Sequence, residues 1–440
     1  MSTRRRRSTG RSREPPRRSG GVDVYLFPAV VGGGLGDIEE VLAAGRHLSN
    51  AGFRVILYRA SGRPLPPGVS GPWEWPPTER RRSLSPQAPA ALTVAPCWGV
   101  SAAPSRPTRF GRGGPYEVEA REVEAAYGPD HTVHVSLEEF ARTLSSAAET
   151  RERLREGGVP SRALGRRYRT ARARKEVDAF RSAFREFRAF DRPNVLHLFA
   201  TFRPTRSFAR EFPEAVQVGP LGSGHPAKRP GLGDHRNGRE WVWYASPSTA
   251  ERIAPDVLAG LAGVRPPVRL YVRSPRPWPS VERRTGIRVV TSPVAPTAWH
   301  RRFREAELRI VTGSRTLLEA MEVGGPFLYY NGTLGRGTAR RRHRPEKVRA
   351  WLDLARRRGV SVGLRRDIAD FARGRRIAAV VRRAATNEDG WARFPRSLGP
   401  VGFSSDRADA GRVLVRVARE LGRPGARAGD IVSRWRRSNP

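Results

Sequence analysis

Several residue types and patterns are scarce or missing in this chain of 440 residues. It contains a single cysteine, Cys97, which excludes an internal disulfide and a cysteine-based zinc site and fits a reducing cytoplasm. No apolar run reaches the length of about 18 residues that a membrane-spanning helix needs. The sequence also lacks the G-x-x-x-x-G-K-[ST] phosphate loop and any Asp-x-Asp pair. These absences argue against a P-loop nucleotide site and against a metal held by paired aspartates.

Lysine is scarce as well, since only Lys175, Lys228 and Lys347 occur, and arginine therefore supplies almost all of the formal net charge of +40. A charge of this size attracts nucleic acids, acidic lipid headgroups and nucleotide diphosphates. A GC-rich genome would produce the same arginine bias without selection for binding. Residues 1–21 carry charge but no apolar stretch behind it, so they predict a disordered basic arm and not a secretory signal. A contact of this arm with nucleic acid or lipid is the sharper alternative.

The N-terminal half opens with a β-strand, a glycine-rich loop, a helix and a second strand. The strands are predicted at Val22–Pro28 and Phe53–Tyr58, and the helix at Ile38–Ala51. The candidate site glycines of this loop are Gly33, Gly34 and Gly36. A loop of this kind lets the backbone approach an anionic or sugar ligand at a helix N-terminus.

This loop does not match a dinucleotide-binding fingerprint. Asp37 stands where the third glycine of G-x-G-x-x-G belongs, and the second strand ends in Tyr58-Arg59 instead of an acidic residue. A nicotinamide enzyme is therefore disfavoured. Asp37 and Glu40 have the spacing of a helix capping box, so Asp37 acts either as a cap alone or as a cap with a chemical role.

A second strand–turn–helix–strand unit lies in the C-terminal half and carries one carboxylate near its turn. Leu308–Val311 and Phe327–Tyr330 are the predicted strands, and Arg315–Val323 has the apolar period of a helix. Glu319 lies on this helix. In open α/β sheets a ligand binds outside the carboxyl ends of the strands, so we expect a ligand beside this turn.

Longer helices are predicted on either side of the middle of the chain. Leu137–Gly157 and Asp406–Leu421 both have helical periodicity, and Ala163–Ala189 is an arginine-rich helix with an apolar stripe. The basic helix either packs on the sheet with a solvated outer face or docks on an anionic surface.

Two histidines, His197 in a strand and His225 at the end of a second glycine-rich loop, are candidates for a site, although a lone histidine is more often structural.

Strands that alternate with helices in both halves predict an α/β protein with two Rossmann-like parallel sheets. The predicted divisions of the chain are a basic arm over residues 1–21, an N-terminal domain over 22–236, a C-terminal domain over 237–405, and a terminal helix with a basic tail over 406–440.

Two such halves joined by a Gly/Pro-rich hinge, without a dinucleotide fingerprint, resemble the GT-B glycosyltransferases. The stretch EAELRIVTGSRTLLEAMEVGGPFLYY is similar to the nucleotide-sugar unit of that superfamily, particularly in the branch of the lipid II N-acetylglucosaminyltransferase. The resemblance implies two domains that face each other across a cleft. It also implies that Glu319 binds the ribose of UDP and that Glu346 contacts the donor sugar. GGGLGDIEEV is similar to the glycine-rich acceptor loop of the family, with Asp37 where that branch has a histidine.

The chemistry of the residues fits a donor site of this kind. One carboxylate can accept hydrogen bonds from both hydroxyls of a ribose, and helix N-termini bind diphosphates. The residues expected around the donor, besides Glu319 and Glu346, lie at two helix starts: Gly313, Ser314, Arg315, Thr316, Ser246, Ser248 and Thr249.

The resulting expectation is a glycosyltransferase with a nucleotide-sugar donor and no other cofactor. Many retaining relatives carry two acids eight positions apart, and only Glu319 fits here, which favours inversion without a metal. Asp37 or His225 would act as the base that deprotonates the acceptor hydroxyl. The expected location is cytoplasmic and peripheral on the inner face of a membrane, with a lipid-linked acceptor as one option. The competing hypotheses are a GT-B nucleotide-sugar epimerase or phosphorylase-like enzyme, and a nucleic-acid- or anionic-surface-binding protein on an inactive scaffold.

Overall fold

The computed structural model describes about half of the chain in detail. The described residues are 21–28, 36–58, 86–96, 116–139, 192–200, 215–224, 239–244, 247–264, 268–273, 288–290, 296–323, 326–330, 332–333, 342–343, 348, 351–352, 355–356, 358–386, 391 and 409–438. The arginine-rich segment Ala163–Ala189 and the basic arm lie outside these residues, apart from Gly21.

The first sheet contains six parallel strands in the order β2-β1-β3-β4-β5-β6. Its strands are β1 Val22–Leu26, β2 Arg54–Leu57, β3 Ala90–Pro96, β4 Thr132–Glu139, β5 Val195–Ala200 and β6 Ala215–Val218. Every residue of β1, β3, β5 and β6 is buried. Nearly continuous apolar strands of this kind need cover on both faces, which is typical of parallel α/β sheets.

The end of β4 corrects one prediction. Leu137, expected to start a helix, continues the strand, and Leu137–Glu139 pair in parallel with Leu198–Ala200 of β5. Sheet pairing with a neighbour that is distant in the sequence overrides the local helical periodicity here. The remainder of the predicted helix, from residue 140 onward, lies outside the described residues.

Two helices from the N-terminal half pack against the first sheet. They are α1 Gly36–Asn50 and α2 Tyr116–Tyr127. The apolar stripe of α1, which includes Val41, Leu42 and Leu48, is buried in the core of this sheet.

The second sheet contains five parallel strands in the order β11-β10-β7-β8-β9. The strands are β7 Arg239–Tyr244, β8 Val268–Arg273, β9 Arg288–Val290, β10 Leu308–Val311 and β11 Phe327–Tyr329. A separate two-stranded antiparallel ribbon pairs β12 Gly332–Thr333 with β13 Arg342–His343. The two parallel sheets confirm the prediction of two Rossmann-like halves.

Among the described residues, five helices with defined bounds pack in this half of the fold. They are α3 Pro247–Leu261, α4 Pro296–Glu305, α5 Ser314–Val323, α6 Val362–Ala372 and α7 Ile377–Thr386. A second core of large aromatic residues joins these helices to the sheet, and Trp241, Trp243, Trp299 and Trp351 are at most 1% exposed. Arg309, fully buried in β10, donates to the backbone oxygens of Phe303 and Arg304 and so satisfies carbonyls at the C-terminal end of α4.

The last two described helices return to the first sheet. They are α8 Ala410–Leu421 and α9 Ala428–Arg437. Val413, Leu414 and Val417 of α8, with Ile431 and Val432 of α9, belong to the same buried core as β1, β3 and α1. The segment predicted as a terminal helix and basic tail is thus two helices that complete the N-terminal half.

Buried polar groups of the first sheet satisfy one another near the amino ends of its strands. Asp23 accepts a hydrogen bond from the Tyr127 hydroxyl at 2.7 Å and from the backbone N–H of Gln87 at 2.8 Å. His134 lies 2.9 Å from a carboxylate oxygen of Glu124, and this contact lowers the pKa of Glu124 to about 2. These networks lie away from the carboxyl edge, and we assign them a structural role.

Candidate functional site

The candidate site lies at the carboxyl edge of the second sheet, where its strand order reverses. In chain order β7, β8 and β9 extend to one side, and β10 and β11 then add on the other side of β7. A crevice forms at such a switch point, outside the carboxyl ends of the two central strands, and it is the usual ligand position in this class of sheet. Thr312 directly follows β10, and its hydroxyl donates to the Tyr244 carbonyl oxygen of β7 at 3.1 Å.

A tight turn at Gly313 connects β10 to α5. The Gly313 N–H donates to the Thr316 hydroxyl oxygen at 3.2 Å, and the Leu317 N–H donates to the Gly313 carbonyl at 3.0 Å as the first helical bond. A Cβ at Gly313 would lie 3.3 Å from the Thr316 hydroxyl oxygen, so a larger residue would crowd this turn. The N-terminal end of α5, with its unpaired backbone N–H groups, therefore lies at the crevice of the switch point. Such a helix N-terminus favours the binding of an anion.

Glu319 lies one turn further along α5, and its side chain is buried. The residue is 6% exposed, and its carboxylate lies 3.5 Å from Nε of Arg315 on the same helix. Arg315 in turn donates from Nη1 to the backbone oxygen of Leu221 at 2.8 Å. Four predicted donor residues, Gly313, Arg315, Thr316 and Glu319, are thus brought together on one turn and the helix that follows it.

The electrostatic surroundings of Glu319 favour its neutral form. Burial raises the pKa of its carboxyl group to about 7, and the negative charges of Glu39 and Glu322 act in the same direction. The positive charges of Arg315 and Arg46 oppose this shift. A buried carboxyl group with a pKa near neutrality, paired with one arginine and within the electrostatic influence of a second, is the kind of group that concentrates at functional sites.

The other wall of this cluster comes from the first half of the molecule. Arg46 of α1 is 7% exposed, and its Nε donates to the Ser223 carbonyl at 2.6 Å. The backbone N–H of Ser223 donates to Glu322 of α5 at 2.7 Å. Residues 221–224, which follow β6, therefore contact both α1 and α5. Through this segment the first half of the molecule packs against the helix that carries Glu319.

The close approach of this segment to α1 depends on a glycine. Gly224 has a φ of +69°, and a Cβ there would lie 2.8 Å from the Cβ of Arg46. The Asn50 side-chain amide donates to the Gly224 carbonyl at 2.8 Å and fixes the same turn. A side chain at position 224 would strain the backbone and separate α1 from the segment that leads to the second sheet.

The remaining predicted site residues fall outside this described cluster. Gly36 begins α1 and Asp37 lies in its first turn, but the structure does not describe the Asp37 side chain. Ser248 and Thr249 are in the first turn of α3, again without described side chains. The other predicted residues, which lie outside the described parts of the chain, are Gly33, Gly34, His225, Ser246, the side chain of Ser314, and Glu346. Their predicted roles stay predictions.

His197, the other candidate histidine, lies inside the first sheet. It is 0% exposed in β5, and burial together with the charge of Arg436 lowers its pKa to about 3. A histidine that is neutral at every ordinary pH and enclosed by the sheet has a structural role.

Sequence reasoning missed three residues of the cluster, namely Arg46, His47 and Glu322. His47 Nε2 lies 3.2 Å from the Gly222 carbonyl oxygen, on the same segment that Arg46 and Glu322 hold. The sequence did contain a signal for Arg46: Glu39, Arg46 and Asn50 recur at i, i+7 and i+11 and therefore form a polar face of α1. The sequence of α1 alone does not show that this face contacts the segment 221–224.

The described residues contain neither a metal-binding cluster nor a membrane-spanning helix. Among them, no group of three or more His, Cys, Asp or Glu side chains is arranged to hold a metal ion. None of the described helices is both long and apolar enough to cross a bilayer.

Comparisons with known proteins give only distant similarities. No protein-family model matches the chain, and no curated relative matches it. The chain is similar in structure to a UDP-glucosyltransferase from Polygonum tinctorium, with 11% identity, 95% of this chain and 98% of that one covered, and a TM-score of 0.44. It is also similar to MurG of Acinetobacter baumannii, with 10% identity, coverage of 95% and 99%, and a TM-score of 0.37.

A third similar structure is described as the basis for EarP-mediated arginine glycosylation of translation elongation factor EF-P. Its identity is 14%, it covers 90% of this chain and 98% of its own, and its TM-score is 0.38. Of these three structures, the first is described as a glucosyltransferase and the third by an arginine glycosylation. At these TM-scores the likeness carries no argument about what this chain does.

Proposed function

We propose that this protein is a glycosyltransferase that moves a sugar from a nucleotide-diphosphate donor to an acceptor hydroxyl. The observation that carries the proposal is the position of Glu319. It lies on the helix that starts at the switch point of a Rossmann-like sheet, beside a segment of the first half. This is where a nucleotide would be bound in a doubly wound sheet, and the resemblance of residues 305–330 to a nucleotide-sugar unit supports the same position.

In the proposed site the two parts of the donor meet different groups. The diphosphate lies at the N-terminal end of α5, where the N–H groups after Gly313 and the helix dipole favour negative charge. The ribose donates its hydroxyls to the Glu319 carboxylate. Because Glu319 is 6% exposed and faces Arg315, this contact requires the Arg315 side chain or α1 to move when the nucleotide binds. Ser246, Ser248, Thr249 and Glu346 are proposed to complete the donor site.

The proposed reaction is a single displacement with inversion. Asp37 or His225 takes the proton of the acceptor hydroxyl, whose oxygen forms a bond to the anomeric carbon. The bond between that carbon and the diphosphate oxygen breaks, and its electron pair leaves with the nucleotide. Helix N-termini and arginines stabilise the charge on the leaving group, so the proposal requires no metal. Addition of EDTA should therefore leave the rate unchanged.

Calorimetric titration with a panel of nucleotide diphosphates tests the donor site. We expect UDP to bind the wild-type protein, and Glu319→Gln to bind it about 10- to 100-fold more weakly through the loss of charge-assisted hydrogen bonds. Glu305→Gln, which removes an exposed carboxylate at the end of α4, is the matched control and should bind as the wild type does.

Thermal unfolding of the same three proteins separates ligand binding from structure. If Glu319 had only a structural role, Glu319→Gln would change the midpoint of unfolding without weakening nucleotide binding. Absence of diphosphate binding in the wild type would remove the proposed function altogether.

A further inference from the structure

A row of arginines follows one face of α8, on the side of the molecule where α8 packs against α1. Arg412, Arg416 and Arg419 are exposed and recur at i, i+4 and i+7, and Arg423 continues the row just beyond the helix. The spacing of 3.6 residues per turn places the first three on one face, over about 10 Å of helix length. Three cations on one face, with a fourth just beyond the end of the helix, repel one another unless an anion lies between them.

The row borders a groove that is partly open to solvent. The groove has a volume of about 450 Å³, and the four arginines line it together with His47 and Glu420. This volume is in the range of sites for small molecules, whereas a bilayer surface would contact a flat or convex face. The concavity therefore favours a compact ligand over a membrane.

The groove carries more positive charge than the described residues around it neutralise. Asp409 pairs with Arg412 at 3.2 Å, and Glu420 pairs with Arg434 of α9 at 3.4 Å. Within the described part of the chain, the side chains of Arg419 and Arg423 make no ion pair. Two guanidinium groups at one end of the groove are thus free to bind a ligand, and guanidinium groups match phosphate oxygens in geometry.

The inner wall of the groove is fixed by close packing. A Cβ at Gly411 would lie 2.6 Å from Nδ1 of His47, so the two helices touch at the glycine. The other ring nitrogen of His47 lies against the Gly222 carbonyl, in the segment between the two sheets. The groove is lined by His47 of α1 and by residues 411–423, and none of its lining residues belongs to the turn at Gly313 that the proposed donor site uses.

We propose that the groove between α1 and α8 is a second, separate binding site for a small ligand that carries two or more phosphate groups. Arg419 and Arg423 bind the phosphates directly, and Arg416 lines the same face. The proposal does not depend on the proposed glycosyl transfer, because none of these residues belongs to the donor site.

Inorganic tripolyphosphate is a suitable probe, and its binding to the full chain can be measured by calorimetry at about 0.15 M salt, where long-range attraction is largely screened. The double variant Arg419→Gln/Arg423→Gln should bind about 10- to 100-fold more weakly at this site than the wild type, because two charge-assisted contacts are lost. The matched control is Arg366→Gln/Arg375→Gln, which removes the same charge from exposed positions in the second half. It should bind as tightly as the wild type.

Hydrogen exchange locates the bound probe, which also distinguishes this groove from the diphosphate position at α5. We expect tripolyphosphate to protect the peptides of α8, and the protection to disappear in the groove variant but not in the control. Equal affinities in all three proteins would mean that the ligand responds only to the net charge, and would overturn the proposal. Protection confined to α5 would overturn it as well.

Vesicles that contain phosphatidylglycerol separate a soluble ligand from a lipid headgroup. We expect vesicle binding to be the same in the groove variant and its control. If the groove variant alone lost vesicle binding and tripolyphosphate did not bind the wild type, the site would belong to a membrane surface and the proposed ligand class would be wrong.

Discussion

At the scale of single residues, Glu319 and its neighbours illustrate how burial changes the chemistry of a carboxyl group. Glu319 and Arg315 are both buried, and Arg46 reaches the same cluster from the other half of the molecule. Two arginines near one carboxylate would ordinarily lower its pKa, but loss of solvation is the larger effect, and the pKa is raised to about 7. The charge on Glu319 therefore changes within the physiological range of pH.

This raised pKa predicts how stability depends on pH. The native state holds the proton of Glu319 more tightly than the unfolded chain, whose carboxyl has an ordinary pKa of about 4.3. The stabilising contribution is complete below that value and is lost as the pH rises through about 7. Because glutamine does not titrate, the stability of Glu319→Gln relative to the wild type should increase as the pH rises from about 4.3 to about 7 and then stay constant.

Thermal or denaturant unfolding at several pH values measures this difference. Glu305→Gln serves again as the control, because it removes an exposed carboxylate in place of a buried one. A difference between wild type and Glu319→Gln that stays constant with pH would show that the native pKa of Glu319 is not raised.

At the scale of elements, the packing of α8 on α1 depends on a glycine at the contact. Gly411 is buried in the first turn of α8, and the His47 ring fills the space that a Cβ would occupy. Gly363 has an equivalent position, early in α6, but nothing lies within 4 Å of its hypothetical Cβ. The same substitution should therefore have opposite effects at the two sites.

Gly411→Ala should lower the free energy of unfolding by about 1–3 kcal/mol, because the added methyl group forces His47 or the helix to shift. Gly363→Ala should raise it by up to about 1 kcal/mol through its better helix propensity. Chemical denaturation of both variants measures these changes. A Gly411→Ala protein as stable as the wild type would mean that α8 does not contact α1 as closely as described.

At the scale of the whole molecule, the two ends of the described chain share one hydrophobic core. β1 begins at Val22, and α8 and α9 pack on the same sheet from the C-terminal end of the sequence. In the sequence, the residues of the second sheet and its helices thus lie between the two segments that form the first core. Segment 221–224 links the two through its contacts with α1 and α5.

A core substitution in α8 should therefore destabilise the N-terminal half. Leu414 is 0% exposed, and Leu414→Ala should cost about 2–5 kcal/mol of unfolding free energy through lost burial and the cavity left behind. Val362, 72% exposed on α6, gives the matched control, since Val362→Ala should change stability by no more than about 0.5 kcal/mol.

Hydrogen exchange shows where the Leu414→Ala effect falls. The strands of the first sheet should lose protection more than those of the second. A change below about 1 kcal/mol would contradict the shared core, because a surface helix would tolerate the truncation.

Local signals predicted many of the elements well. Leu308–Val311 was predicted as a strand with its observed bounds, and the turn and α5 that follow were also recognised. Each of these features depends on apolar period and turn chemistry within a few residues. The helix α2 was not predicted, and Leu137 was assigned to a helix instead of a strand. In both cases the outcome depends on neighbours in the sheet that are distant in the sequence.

The sequence by itself determined the α/β class, the two sets of strands, and the helix that carries Glu319, because hydrophobic periodicity and glycine turns act locally. The tertiary structure decided that Glu319 is buried against Arg315 near Arg46, and that α8 and α9 complete the first sheet. It also decided the position of the arginine groove beside α1. These contacts join segments from opposite parts of the chain, and burial and pKa depend on which groups meet in space, a property that no local pattern records.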